Sequence, residues 1–204
     1  MAGNPYRRDM GYVLFRKELI RRFGKVRTDA LFSAAFEKLK ILRSRYPEIQ
    51  SGERRHVEGI FLRAAMYQAL LDEFPDSALI LLEEGVVLSC RKVGTLLSAV
   101  SSFPGMAPLF MKMFAKMVTG MFGPSAGFRQ EIYVMNSREI RFDITACPYC
   151  RWCETLGCPE LVSLFCLSDE YCYGNLKKIS FKRTGTLGTG ADCCDFYLKR
   201  KGRS

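Results

Sequence analysis

GFRQEIYVMNSREIRFDIT, residues 127–145, is where the pattern of this chain changes. Upstream, apolar residues recur at the helical period. Within it, Phe128 to Met135 and Glu139 to Thr145 alternate apolar with polar residues, and Asn136-Ser137 stands between them as a turn. Alternation on both sides of a two-residue turn predicts a β-hairpin. Downstream, a short helix is expected from Pro159 to Phe165. Two further strands are expected over Leu176–Thr186 and Asp192–Arg200, joined by Gly188-Thr189-Gly190. Helices first and strands afterwards is the α+β order. The expected architecture is a single domain over residues 1–200, with a helical lobe over 4–125 packed on a mostly antiparallel, four-stranded sheet lobe over 128–200. The tail Lys201–Ser204 is expected to lie outside it.

The helical half carries its own punctuation. Asn4-Pro5 is a start signal for a helix ending at Gly24, since asparagine caps and proline takes the first helical position. Thr28 is a candidate cap for a second helix, whose apolar positions Leu31, Phe32, Ala35, Phe36, Leu39 and Leu42 follow the helical period before Pro47. Ser51 and Asp76 are candidate caps for a third helix, ending before Pro75, and a fourth, running to Ser102 with breaks expected near Gly85 or Gly94. Pro104 and Pro108 open a fifth that stops near Gly123-Pro124. It carries Met106, Phe110, Met113, Met117 and Met121 along one face, expected to be core.

Composition narrows the function classes. The 204 residues are 48% hydrophobic, 25% charged and include 15 phenylalanines, which excludes a largely disordered chain. The net charge of +10 is spread from Arg7 to Arg203 in short clusters. No basic stripe with interleaved aromatics is present, so a nucleic-acid partner is not expected; attraction of an anionic small substrate, or plain solubility, fits the charge better. The most apolar runs are interrupted by Arg91-Lys92 and by Lys112 and Lys116, short of the ~20 apolar residues of a membrane span. Arginines also stand where a signal peptide has its apolar stretch. A cytoplasmic, reducing location follows, where cysteines serve metal binding or catalysis before disulfides.

Eight of the nine cysteines fall between Cys147 and Cys194; Cys90 sits alone in an apolar helix and reads as a small buried hydrophobe. The run Cys147-Pro-Tyr-Cys150-Arg-Trp-Cys153, then Cys158, Cys166, Cys172 and Cys193-Cys194, supports three chemistries. Cys147-x-x-Cys150 with a later pair satisfies tetrahedral zinc. Cys147, Cys150, Cys153 and Cys158-Pro159 approach a ferredoxin-type iron–sulfur run, with one residue too many before the last cysteine and no second half. A thiolate, or a thiolate-bound metal with an open position, is the third. The single histidine, His56, stands beside Arg54 and Arg55 and reads as a solvated helix end, which leaves proton transfer to a carboxylate. Asp169, Glu160 and Asp195 lie among the cysteines, each with an ordinary reading as a cap or first-turn residue.

Several of these segments resemble the L-2-amino-thiazoline-4-carboxylic acid hydrolase family. They are Cys147-Pro148-Tyr149, Gly157-x-Pro159-Glu160-Leu161 and Phe165-Cys166-x-x-Asp169, then Phe181-x-Arg183-Thr184-x-Thr186-Leu187-x-x-Gly190 and Cys194-Asp195-Phe196. A looser likeness passes through Ala64–Leu70, so that the resemblance spans about residues 55–198. It implies hydrolytic opening of a cyclic isothiourea that carries a carboxylate. That chemistry needs a nucleophile at the carbon between nitrogen and sulfur, a proton for the departing thiolate and a cation for the carboxylate. Cys166 as a nucleophile, or Cys147, Cys166 and Cys194 around a zinc ion, would serve the first. Asp169 or Glu160 would move the proton, and Arg183 would hold the carboxylate. Cys150, Cys153, Cys158, Cys172 and Cys193 depart from the family pattern. With a remote likeness to the 4-vinyl reductase domains, they keep open a non-catalytic metal- or ligand-binding module, or an iron–sulfur redox protein.

Overall fold

The computed structural model describes residues 4–202, so Arg203 and Ser204 lie outside the described residues. Five long helices come first: α1 (Met10–Phe23), α2 (Lys25–Arg45), α3 (Arg54–Glu73), α4 (Ala78–Ser102) and α5 (Met106–Met121). They are followed by β1 (Arg129–Met135), β2 (Glu139–Ala146), α6 (Pro148–Thr155), α7 (Val162–Tyr173), β3 (Ile179–Lys182) and β4 (Cys194–Arg200). The sheet order is β1-β2-β4-β3 and every pairing is antiparallel. This is the α+β arrangement that the change of period predicts.

Helix starts differ from the expected caps for local reasons. Asn4 accepts from the Tyr6 N–H and closes only a 3-10 turn over Pro5–Arg7. Asp9 then caps α1 by accepting from the Tyr12 N–H at 3.1 Å. Thr28 lies inside α2, its hydroxyl donating back to the Gly24 carbonyl. α3 begins at Arg54 rather than Ser51, and α4 at Ala78, after Ser77 rather than Asp76. α4 also runs unbroken through both glycines. A Cβ at Gly85 would meet the Phe15 ring at 2.7 Å, and one at Gly94 would run into the Tyr171 carbonyl of α7. These glycines are points of close packing, not breaks.

Two apolar clusters form. The first lies among α1–α4, α6 and α7, with Phe15, Leu39, Ile60, Phe61, Leu82 and Leu164 inside it. The second lies between α5 and one face of the sheet, where Ile140, Phe142 and Ile144 of β2 sit opposite Leu198, Phe196 and Cys194 of β4. The Phe142 and Phe196 rings stack at 4.8 Å. The alternation in these strands thus buries one set of side chains, each worth about 1.5–3 kcal/mol. On α5 the buried face is Ala107, Met111, Phe114 and Val118, one residue out of step with the expected methionine stripe. Met113 is solvent-exposed.

The strand expected over Leu176–Thr186 pairs only across Ile179–Lys182. Asp195 is the reason. Its carboxylate accepts from the Thr184 and Gly185 N–H groups at 2.8 Å and from the Thr184 hydroxyl at 2.6 Å. The chain is therefore drawn off the sheet after Lys182, which turns Arg183 inward. Beyond β4, Lys201 is held by its N–H to the Lys178 carbonyl and by Nζ to the Leu176 carbonyl. The expected tail therefore starts later than Lys201.

Candidate active site

Where the two apolar clusters meet they leave a cavity of about 450 Å³. Apolar walls come from both clusters, Phe15, Leu82 and Val162 from one and Phe114, Phe142, Ile144 and Phe196 from the other. Set among them are Cys90, Cys147, Cys166, Cys194, His56, Arg63, Tyr149, Asp169 and Arg183. A cavity with apolar walls and a few converging polar groups is the usual form of a small-molecule site.

α7 presents Cys166 and, one turn later, Asp169. Arg183 binds both, donating from Nη1 to Asp169 Oδ2 and from Nη2 to the Cys166 carbonyl, each at 2.8 Å. Its Nη2 also lies 3.1 Å from Glu170. The Arg183 side chain is 4% exposed with both terminal nitrogens engaged. In this arrangement it positions Asp169 rather than offering a free fork to a ligand. Burial pushes the Asp169 carboxyl pKa up to about 6, against the pull of the Arg183 charge. Burial likewise raises the Cys166 thiol, countered by a hydrogen bond with Thr186 and by Arg183.

The segment after Arg183 closes over the two cysteines. Thr184 is held by Asp195, and the Leu187 N–H donates to Cys194 Sγ at 3.2 Å. Gly188 passes directly over Cys166, where a Cβ would stand 2.9 Å from Sγ and 2.5 Å from Val162. Asp195 is spent on this loop. Burial alone would raise its pKa, but the bonds from Thr184 and Gly185 outweigh that and hold it below the usual carboxylate range.

Of the residues singled out in the sequence, the structure brings Cys147, Cys166, Cys194, Asp169 and Arg183 to one cavity. Glu160 does not line it: the residue is exposed on the turn before α7, where its charge helps to raise the Tyr67 hydroxyl that burial already pushes up. His56 is not a solvated helix end, since it is 6% exposed and both ring nitrogens are engaged. Nε2 lies 2.8 Å from the Met121 carbonyl, which can only accept, so Nε2 carries the proton. Nδ1 then accepts from the Tyr149 hydroxyl at 2.9 Å.

Of the remaining thiols, all reduced, four fall into two neighbouring pairs, Cys150 lies beside Cys147, and Cys193 stands apart next to Asp143. Cys153 and Cys158 are packed in the helical core. Cys150 neighbours Cys147, whose thiol hydrogen bond lowers the Cys150 pKa to about 7. Cys90 is not a sequestered hydrophobe. It lines the cavity, and its pKa is lowered to about 7 by the hydrogen bond of Cys172, aided by the charge of Arg63. Among the described residues no group of three or more His, Cys, Asp or Glu side chains is placed to hold a metal ion. No described helix is long and apolar enough to cross a membrane.

The fold defines an α+β protein with a cysteine-lined cavity between a helical layer and an antiparallel sheet. The family model for L-2-amino-thiazoline-4-carboxylic acid hydrolase matches residues 54–198, and the chain belongs to that family. No curated protein and no solved structure matches it. The matched segment contains α3, the sheet except for the last two residues of β4, and the Cys166, Asp169 and Arg183 cluster.

Proposed function

We propose that the protein opens a small carboxylated ring of the cyclic isothiourea type by hydrolysis, with Cys166 as nucleophile and Asp169 as proton carrier. The observation that carries this is the Asp169 carboxyl, held near neutrality at about 6 one helical turn from a cavity-facing thiol. A base poised just below the working pH takes and returns a proton with little penalty in either direction. Burial keeps Cys166 a thiol in the resting state, so it needs such a base.

Asp169 takes the thiol proton as Cys166 Sγ bonds to the ring carbon between nitrogen and sulfur. The bond from that carbon to the ring sulfur then breaks, and the departing sulfur takes the proton from Asp169. Water adds to the same carbon, giving one proton to Asp169 and, as the carbonyl forms, the other to the former imine nitrogen; Cys166 leaves and takes the proton from Asp169 to become a thiol again. One water is consumed, one ring C–S bond is broken, and the products are a ureido group and a free thiol on one molecule. The Thr186 hydroxyl and the Arg183 charge both favour the Cys166 thiolate, the form that attacks.

The test is release of free thiol from 2-amino-thiazoline-4-carboxylate, followed with a thiol-reactive chromophore that is quenched and counted against the enzyme's own cysteines. Cys166→Ser and Asp169→Asn are each expected to lower kcat by at least about 100-fold. Turnover that survives Cys166→Ser and disappears in Cys90→Ser transfers the nucleophile to Cys90, the other cavity thiol. Tight ligand binding with no ring opening by the parent protein replaces the hydrolase with a binding module.

A further inference from the structure

The cavity holds a cation that the scheme above does not use. Four basic side chains line it: Arg55, His56, Arg63 and Arg183. His56 and Arg183 are fully engaged, and Arg55 is exposed, with Nη1 against the Met121 sulfur at 3.9 Å. Arg63, on α3, differs from all three. Its Nη1 is buried with no hydrogen-bond partner, and no acidic side chain among the described residues pairs with it. Two other buried side-chain atoms lack partners among the described residues, Gln130 Oε1 and Trp152 Nε1. Neither is charged, and neither residue lines the cavity.

How the guanidinium is held matters as much as what it lacks. Its central carbon sits 3.9 Å from the centre of the Phe165 ring, so it rests on the ring face. Such a contact uses the face of the guanidinium and leaves its edge to in-plane partners; one donor serves the Tyr12 hydroxyl, while Nη1 has no partner, in the planar fork that matches a carboxylate. Phe165 is the residue before Cys166 and is itself packed on Tyr149 at 4.5 Å. The stacking partner thus ties Arg63 to the helix that carries Cys166, and both residues line the same cavity. Neighbouring groups register the charge: Arg63 offsets part of the rise that burial imposes on Tyr12, left at about 12, and on Tyr149. Leaving a charged donor buried and unpaired is costly, and a ligand oxygen removes that cost.

We infer that Arg63 is the anion anchor of the cavity, the residue that binds the substrate's carboxylate and sets the ring against Cys166. The ligand class is a small, planar ring bearing one carboxylate. Arg63 selects against neutral analogues, while Arg183 is reserved for Asp169. This assignment rests on the proposed hydrolysis for its choice of substrate, but not for the anion site itself.

The experiment compares 2-amino-thiazoline-4-carboxylate with its neutral carboxamide on the full chain, in the parent protein, Arg63→Gln and Arg63→Lys. The parent is expected to favour the acid by about 10- to 100-fold in kcat/KM, the range of a charge-assisted pair. In Arg63→Gln that preference disappears, chiefly through a higher KM for the acid, and the amide is handled as before. Arg63→Lys keeps the charge without the fork and falls between. A preference that survives Arg63→Gln, or equal losses on acid and amide in both variants, overturns the assignment. If Arg63→Gln does not fold, the lysine variant and the parent's preference between acid and amide decide. If the parent opens no ring, calorimetric titration with the acid separates the two readings. Binding that weakens at least about 10-fold in Arg63→Lys or Arg63→Gln keeps the anchor and discards the hydrolase. No binding to the parent discards both.

Discussion

Asp169→Asn should gain stability relative to the parent as pH rises from 4 to neutrality, while it removes activity. A carboxyl whose folded pKa lies above its unfolded value stabilises the fold below the unfolded value, and that contribution is lost as pH rises through the folded one. For Asp169 the window runs from 3.8 to about 6, so above it the ionised group is a liability to the fold. A displacement of that size corresponds to about 3 kcal/mol at neutral pH. The side chain is 33% accessible, on the cavity side, and solvent screening there reduces the figure to about 1–2 kcal/mol. Asparagine titrates nowhere, so its stability relative to the parent should improve by that amount between pH 4 and pH 7.5. For a chain of this length that is about 2–8 °C in Tm. Because the comparison is between two pH values, any constant cost cancels, including that of leaving Arg183 with only Glu170 and the Cys166 carbonyl. Thermal unfolding of both proteins at four pH values across the window, with free thiols kept reduced, is sufficient. A stability difference that is flat with pH, or that favours the parent increasingly as pH rises, refutes the raised pKa. It would recast Asp169 as an ordinary ionised partner of Arg183.

Two packing predictions test the frame that holds the site. Gly188→Ala places a methyl group 2.9 Å from Cys166 Sγ and 2.5 Å from Val162. Overpacking of this kind costs about 1–3 kcal/mol, and kcat should fall at least about 10-fold; near-normal turnover would show that the loop is free to move off the thiol. Gly94→Ala drives a methyl group into the Tyr171 carbonyl, where α4 and α7 touch. It should lower stability by a similar ~1–3 kcal/mol and slow thiol alkylation at Cys90, whose reactivity depends on Cys172 of the same helix. An unchanged alkylation rate would mean that the Cys90–Cys172 pairing does not depend on this close approach.

Period was the legible part of the sequence. The hairpin at Phe128–Thr145 and the helical runs before it are statements about which side chains share a face, and burial rewards a shared face wherever it occurs. Caps were less legible, because Thr28 and Ser51 are competent capping residues and the decision lay with the turns beside them, as with Asp9, which takes the Tyr12 N–H. The short α6 escaped notice because the three-residue spacing of Cys147, Cys150 and Cys153 reads equally as ligand spacing and as a helical turn. At the site, the motif residues Cys166, Asp169 and Arg183 were found together, but what Arg183 does could not be read from its neighbours in sequence. A strand-like run predicted that it would sit in the sheet. The four acceptances of Asp195 from Thr184 and Gly185 take it out, and so bring it to Asp169. Arg63 was the hardest to see for a related reason. On α3 it stands between apolar residues at no motif position, and its distinguishing property is an unfilled donor. Such a property exists only after every other acceptor in the fold has been assigned. An arginine that would be unremarkable on a surface thus becomes the most informative charge in the cavity, because the fold has left it one partner short.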